Sequence, residues 1–180
     1  MRSPISILLL ALIIASSLGG LDVDVEAKPQ TCSPSGKLRG KKPPPKKCNR
    51  INNSECCVEG KLYTTYKCSP PVTRQTKAVL TLNSFEKKFH GDEERVVALS
   101  SGWFNNRKSC FQRIRITAGN GRSVVAKVVD ECDSTEGCDG EHDYQPPCPN
   151  NVVDVSKAVW DALGVASGEQ GDLKVTWSFV

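Results

Sequence analysis

The sequence predicts an all-β fold with a minor helical part: a small closed barrel of six strands and one short helix, disulfide-stapled and preceded by a small Cys-rich N-terminal segment. Three observations predict it. Six short runs rich in Val and Ile occur between Ala78 and Phe179, separated by Gly, Asn, Asp and Pro. One stretch, 155–164, carries a helical stripe followed by a stop signal. Nine cysteines follow a leader-like N-terminus, so they are expected to be oxidised. Six strands in about 110 residues favour closure, because a closed sheet exposes no unpaired edge.

At the N-terminus, Arg2 precedes an almost unbroken Ile, Leu and Ala run over 5–15, and small residues follow at Ser16, Ser17, Gly19 and Gly20. That is the pattern of a secretory signal. The run falls short of the roughly 20 apolar residues a membrane span needs. Residues 1–27 are therefore read as a signal peptide. The rest is expected to be secreted, monomeric and free of the membrane. Removing 1–27 raises the formal balance from +4 to +6 (23 basic against 17 acidic groups). Such a field favours acidic proteins or acidic cell-wall polysaccharide. It is too weak, and too poor in interleaved aromatics, for nucleic acid.

Residues 28–70 form the Cys-rich segment, with Cys32, Cys48, Cys56, Cys57 and Cys68. Residues 71–180 form the barrel domain, with Cys110, Cys132, Cys138 and Cys148. No pair has zinc-finger spacing and the chain has only two histidines, so neither a metal nor another cofactor is expected. The odd count leaves one thiol free or bridged to another chain, and spacing alone allows about 105 pairings of the other eight. The run RGKKPPPKK at 39–47 reads as a stiff exposed arm, since proline favours extended polyproline II. It is either a cationic contact or a solvated loop. Asn52-Asn53-Ser54 is an acceptor sequence for N-glycosylation at Asn52.

The strand-like runs are 78–82, 96–100, 111–117, 124–129, 152–155 and 173–179. The last alternates most clearly: Leu173, Val175, Trp177 and Phe179 fall on one face and Lys174, Thr176 and Ser178 on the other. Ile114 and Ile116 oppose Arg113 and Arg115 in the same way. For the helix, Ser156 is the expected cap, Val155, Val159 and Leu163 the apolar stripe, and Gly164 the stop.

Long ordered stretches carry a family resemblance: GWF at 102–104, SCFQRIRIT at 109–117, GRSVVAKVVDEC at 121–132, PPCPNNVVDVSKAVWDALG at 146–164 and LKVTWSFV at 173–180. On these the chain resembles the plant kiwellin or ripening-related protein family, within the double-psi β-barrel group that also holds barwin, expansins and the family 45 endoglucanases. The resemblance runs from about Cys32 to Val180 and is to the shorter members, which lack an extra N-terminal peptide. It implies a double-psi barrel and a secreted, non-enzymatic plant defence protein of the apoplast. Such a protein binds, and can inhibit, secreted pathogen proteins such as fungal chorismate mutase. Family members usually carry a longer Gly-rich loop with a further cysteine between the first two barrel strands. Here that stretch is the short EKKFHGDEER at 86–95. The missing cysteine accounts for the odd count, and makes Cys110 the expected unpaired residue, with Cys138 second.

The resemblance also frames Asp154. In expansins and endoglucanases a similar Asp follows a His-Phe pair and closes a polysaccharide groove; in the endoglucanases it is the general acid. Here Val152 and Val153 precede it. Inverting hydrolysis needs a second carboxyl about 6.5–9.5 Å away. The stretch similar to the endoglucanase base is Tyr66-Lys67-Cys68, and a protonated Lys67 cannot act as that base. Asp154 is catalytic only under the alternative reading, an expansin-like or glycan-cleaving activity on wall polysaccharide. Otherwise it helps cap the following helix and bonds backbone at a barrel corner. Asp130 carries the same two readings.

Between 130 and 143 lie seven carboxylates, Asp130, Glu131, Asp133, Glu136, Asp139, Glu141 and Asp143, on a loop held by Cys132 and Cys138. Crowded like charges need solvent or a cation. The run breaks the EF-hand pattern, which argues against calcium. A solvated acidic loop is the plain reading. The functional one is a protein-recognition loop, with Tyr144 as an aromatic anchor. Trp103 and Phe104, in a turn-like setting, are either a binding platform beside it or core. His90 and His142 are expected at the surface, without a nucleophile partner.

Overall fold

The computed structural model describes residues 31–85, 93–166 and 172–180. The expected signal peptide, His90 and residues 86–92 of the shortened loop lie outside the described residues. Strands β1 (Gly36–Arg39) and β2 (Leu62–Thr65) pair antiparallel, Gly36 opposite Thr65, so the Cys-rich segment carries a small sheet of its own. The Pro-rich stretch is not extended throughout. The Lys47 N–H donates to the Pro44 carbonyl at 3.1 Å and Lys46 takes φ 62°, which turns the chain back toward the Cys48–Cys56 disulfide.

The barrel strands are β3 (Thr76–Leu82), β4 (Val96–Ser100), β5 (Arg113–Ala118), β6 (Ser123–Cys132), β7 (Val152–Val155) and β8 (Leu173–Phe179). They close in the order β3-β7-β4-β6-β5-β8, with β8 returning to β3. The pairs β3/β7 and β4/β6 are parallel and the other four antiparallel. This is the six-stranded double-psi barrel. Alternating residues turn inward: Ala78 and Leu80, Ile114 and Ile116, Val124 and Ala126, Val175 and Trp177 all join one buried core.

Strand β4 does not alternate, and its position explains why. All five of its residues are buried. Val97 and Leu99 face the barrel core, while Val96 and Ala98 pack outside it with Phe85 and Val129. A strand covered on both faces reads as a continuous apolar run. Beside it, β6 shifts register between its pairings with Val97 and Ala98, so that Val128 lies opposite Val97 and Asp130 opposite Ala98. Such bulges re-aim a side chain.

Among the described residues two α-helices complete the fold, one more than the sequence predicts, besides a 3-10 turn at Ile51–Asn53. The first, α1 (Ser101–Phe104), follows β4 directly. It buries Trp103 and Phe104, 4% and 5% exposed, within the barrel core. The second, α2 (Lys157–Leu163), buries Val159, Trp160 and Leu163, and Val155 belongs to β7 rather than to the helical stripe. Ser156 occupies the N-cap position but makes no side-chain cap. Its hydroxyl instead donates to the Glu94 carbonyl at 2.6 Å and lies 3.3 Å from the Val96 N–H. Gly164 ends the helix in the left-handed region, at φ 63°. Among the described residues, no helix is long and apolar enough to cross a membrane.

Candidate functional site

Two groups of carboxylates stand out, one on the barrel lip and one on the loop behind it. On the lip, Asp154 in β7 lies level with Thr81 of β3 on one side and Ala98 of β4 on the other. The Thr81 hydroxyl donates to Asp154 Oδ1 at 2.5 Å. Asp130 is also level with Ala98, on its far side. The two acids are therefore two strand spacings apart on one face, about 10 Å between backbones. Burial pushes the Asp154 carboxyl up to about 6; the Thr81 bond opposes that shift and the Asp130 charge adds to it. Asp130 itself is exposed, with Oδ1 accepting from the Glu131 N–H at 2.9 Å.

These distances correct two expectations. Asp154 does not cap α2, because Ser156 holds that position and the Asp154 carboxylate is turned toward Thr81. Nor is Asp154 a lone acid. Asp130 of β6 stands level with it two strands away and adds to the rise of its pKa, and the register shift in β6 is what sets that level. Both residues stand out in the sequence, but nothing in it pairs them. The signal that could have paired them was a parallel β4–β6 register, which no local pattern contains.

The loop from Glu131 to Pro147 is built by side chains that the sequence marks only as acidic. Asp133 Oδ1 accepts from the Thr135 N–H at 2.6 Å, the Thr135 hydroxyl at 2.7 Å and the Glu136 N–H at 3.0 Å. Asp139 Oδ1 accepts from the Glu141 and His142 N–H groups at 3.0 and 3.1 Å and sits 2.7 Å from His142 Nδ1. His142 Nε2 is 3.6 Å from Asp133 Oδ2, so the imidazole links the two turns. Burial lowers the His142 pKa, but its bond to Asp139 and the charges of Asp139 and Asp133 outweigh burial and raise it. Burial raises Asp133, yet the Thr135 and Glu136 bonds and the His142 charge leave it lowered. Asp139 is lowered first by its bond to His142. His142 is therefore a half-buried structural member of the loop and not a simple surface residue.

Disulfides fix the frame. The pairs are Cys32–Cys68, Cys48–Cys56, Cys57–Cys138 and Cys132–Cys148, and Cys110 is the free cysteine among the described residues. The Cys57–Cys138 bridge ties the Cys-rich segment to the loop. Backbone bonds add to it: Cys57 N–H to the Tyr144 carbonyl at 2.9 Å, Tyr66 N–H to the Ser134 carbonyl at 2.8 Å, and Cys148 N–H to the Asp133 carbonyl at 2.7 Å. Glu136, Glu141 and Asp143 remain exposed, while Tyr144 is half-buried.

The structure separates the candidate contact residues. Trp103 and Phe104 are not a platform. The Trp103 indole N–H donates to the Pro70 carbonyl at 2.7 Å and its ring meets Trp177 edge-on at 5.1 Å, which leaves no face for a ligand. Asp133 and Asp139 are committed to turns. For a metal, Asp133, Glu136 and His142 could each offer one atom, all within 4.8 Å of one another. Asp133 Oδ1 and His142 Nδ1 already have partners within the loop. Asn52 is exposed, with φ 57°, and its amide donates to the Leu82 carbonyl at 3.2 Å.

A family model described as Kiwellin-1 matches residues 5–180. Putative ripening-related protein 2 of Oryza sativa subsp. japonica is 50% identical over 192 residues, covering 94% of this chain and 96% of that protein. Kiwellin of Actinidia chinensis var. chinensis is 49% identical over 148 residues, covering 76% and 68%. Among solved structures, an expansin of Clavibacter michiganensis is similar with a TM-score of 0.43 at 18% identity, over 59% of this chain and 50% of that one. With the resemblance carried along nearly the whole sequence, this chain belongs to the kiwellin and ripening-related protein family.

Proposed function

We propose that this protein is a secreted, non-enzymatic recognition protein that binds secreted pathogen proteins, enzymes of the chorismate mutase type among them, through the loop 131–147. One observation carries the reading. The loop is held by two disulfides and by the Asp133 and Asp139 turns, while Glu136, Glu141 and Asp143 are left exposed. A loop already ordered loses little conformational entropy on binding, so more of its contact energy becomes affinity. Exposed rim charges speed encounter with a basic partner more than they deepen the complex. The apoplast is the compartment that four disulfides and the leader-like N-terminus fit.

The test uses a secreted fungal chorismate mutase as probe. Charge reversals Glu136→Lys, Glu141→Lys and Asp143→Lys should together weaken binding by about tenfold or more, chiefly through slower association. The melting temperature should stay unchanged. Unaltered affinity in the triple variant removes the loop from the interface.

A second reading has its own support, in the Asp154 and Asp130 pair. A half-buried acid with a raised pKa and an exposed carboxylate two strands away are the two kinds of group that inverting glycan cleavage needs. Against it, Asp154 is bonded to Thr81, and the two grooves described in this molecule open elsewhere. Hydrolysis assays on cellulose, xylan, pectin and chitin, with Asp154→Asn beside wild type, separate the readings. Turnover abolished by that substitution would replace the recognition protein with an enzyme.

A further inference from the structure

The outer face of the barrel opposite the lip carboxylates is a second, chemically distinct surface. On β3, β8 and β5 the inward residues are Ala78 and Leu80, Val175 and Trp177, Ile114 and Ile116. Alternation therefore turns Lys77, Lys174, Arg113 and Arg115 outward. Lys127 of β6, directly opposite Arg113, continues the set. Outward positions of β3, β8 and β5, and of β6 from Ser123 to Lys127, hold no carboxylate. Lys77, Lys174, Arg113 and Arg115 are exposed and form no ion pair among the described residues; Lys127 lies 3.9 Å from Glu94 at the edge.

The registers arrange these cations in a stripe. Lys77 and Lys174 lie diagonally across β3 and β8, Arg115 stands opposite Ser178, and Arg113 opposite Lys127. From the Lys174 level to the Arg113 level is six residues along β8, roughly 20 Å. Hydroxyls fill the positions between: Lys77, Thr176, Thr117 and Ser123 stand side by side across four strands. Two shallow grooves open on this face, one at each end. One of about 550 Å³ includes Lys77, Thr117, Lys174 and Thr176 beside Ala78, Ala118 and Val175, and one of about 370 Å³ includes Arg95, Arg113 and Lys127 with the carboxylate Glu94 among them.

We propose that this face binds a linear acidic polysaccharide, a polyuronate with one carboxylate per sugar. Spread cations do not converge on one small anion; they match a ligand whose charges repeat along its length. Hydroxyls between them suit the sugar hydroxyls. Aromatic rings are exposed only at the Arg113 end, where Phe111 and Phe179 lie, and none stands between the cations from Lys174 to Arg115, which disfavours ligands held by stacking along the stripe. None of these cations belongs to loop 131–147, so this inference stands or falls independently of the protein-recognition reading.

The test is binding of the full secreted chain, disulfides intact, to polygalacturonate, measured beside fully methyl-esterified pectin and single-stranded DNA. Wild type should bind polygalacturonate at physiological ionic strength and weaken as salt rises. It should bind the neutral ester and the DNA far more weakly. The variant Lys77→Gln/Arg115→Gln/Lys174→Gln should lose about tenfold or more. An equal charge change in the Pro-rich stretch, Lys41→Gln/Lys42→Gln/Lys47→Gln, should lose much less. Equal losses in the two variants, equal binding of the ester, or tighter binding of DNA each overturn the proposal. So does self-association of wild type that the face variant abolishes, which would assign the surface to a second copy.

Discussion

Asp154 carries the clearest single-residue consequence. Its unfolded pKa is near 3.8 and its folded one is pushed up to about 6 by burial. Between those values the folded protein holds a proton that the unfolded chain has released. Stability from this residue therefore falls as pH rises from about 4 to about 6, and the cost persists above that. Asp154→Asn keeps an oxygen for the Thr81 hydroxyl and removes the charge. The variant should exceed wild type by on the order of 2 kcal/mol at pH 7 and match it at pH 3.5. Urea denaturation at both pH values checks this; an equal gap at the two would mean that ionisation is not the cause. The sequence named this residue and its neighbour Asp130, but their environment depends on β3, β4 and β6 together.

At the scale of elements, local pattern and tertiary context contributed differently. Strands 96–100, 152–155 and 173–179 have the bounds that the apolar runs suggest. Helix α1 was illegible. Four residues cannot hold a helix by propensity, and this one is held by its packing against Cys68, Ser69 and Pro70. Gly102 is the contact point: a Cβ there would lie 2.1 Å from the Ser69 backbone nitrogen. Gly102→Ala should cost about 2–3 kcal/mol, read from the urea midpoint, because backbone must move. Gly119→Ala is the control; its Cβ would meet nothing within 4 Å, and its effect should stay within about 0.5 kcal/mol.

For the molecule as a whole, the Cys57–Cys138 bridge unites parts that the sequence reading divided at residue 70. It joins positions 81 apart, both buried, and connects the Cys-rich segment to the acidic loop. Cys57→Ala/Cys138→Ala should lower stability by about 2–5 kcal/mol. It should also weaken chorismate mutase binding with every surface charge intact, since an unpinned loop must be ordered on docking. Calorimetric unfolding and binding on the same variant test both; unchanged affinity would separate loop rigidity from recognition. The molecule thus presents two faces of opposite charge, carboxylates on the lip and loop, cations on β3, β8, β5 and β6. That separation lets one small barrel offer two unlike surfaces.

Strand and helix periods, the cysteine stock and the crowding of acids after Asp130 can be read along the chain, because these are local or compositional properties. Family motifs within it implied the barrel topology and an unpaired Cys110. Which acids are spent in turns and which face solvent, the core placement of Trp103 and Phe104, and the position of Asp130 across β4 from Asp154 emerge only once the strands are paired. Those outcomes depend on strand register and on contacts between residues distant in the chain, and neither leaves a periodic trace in the residues that make them.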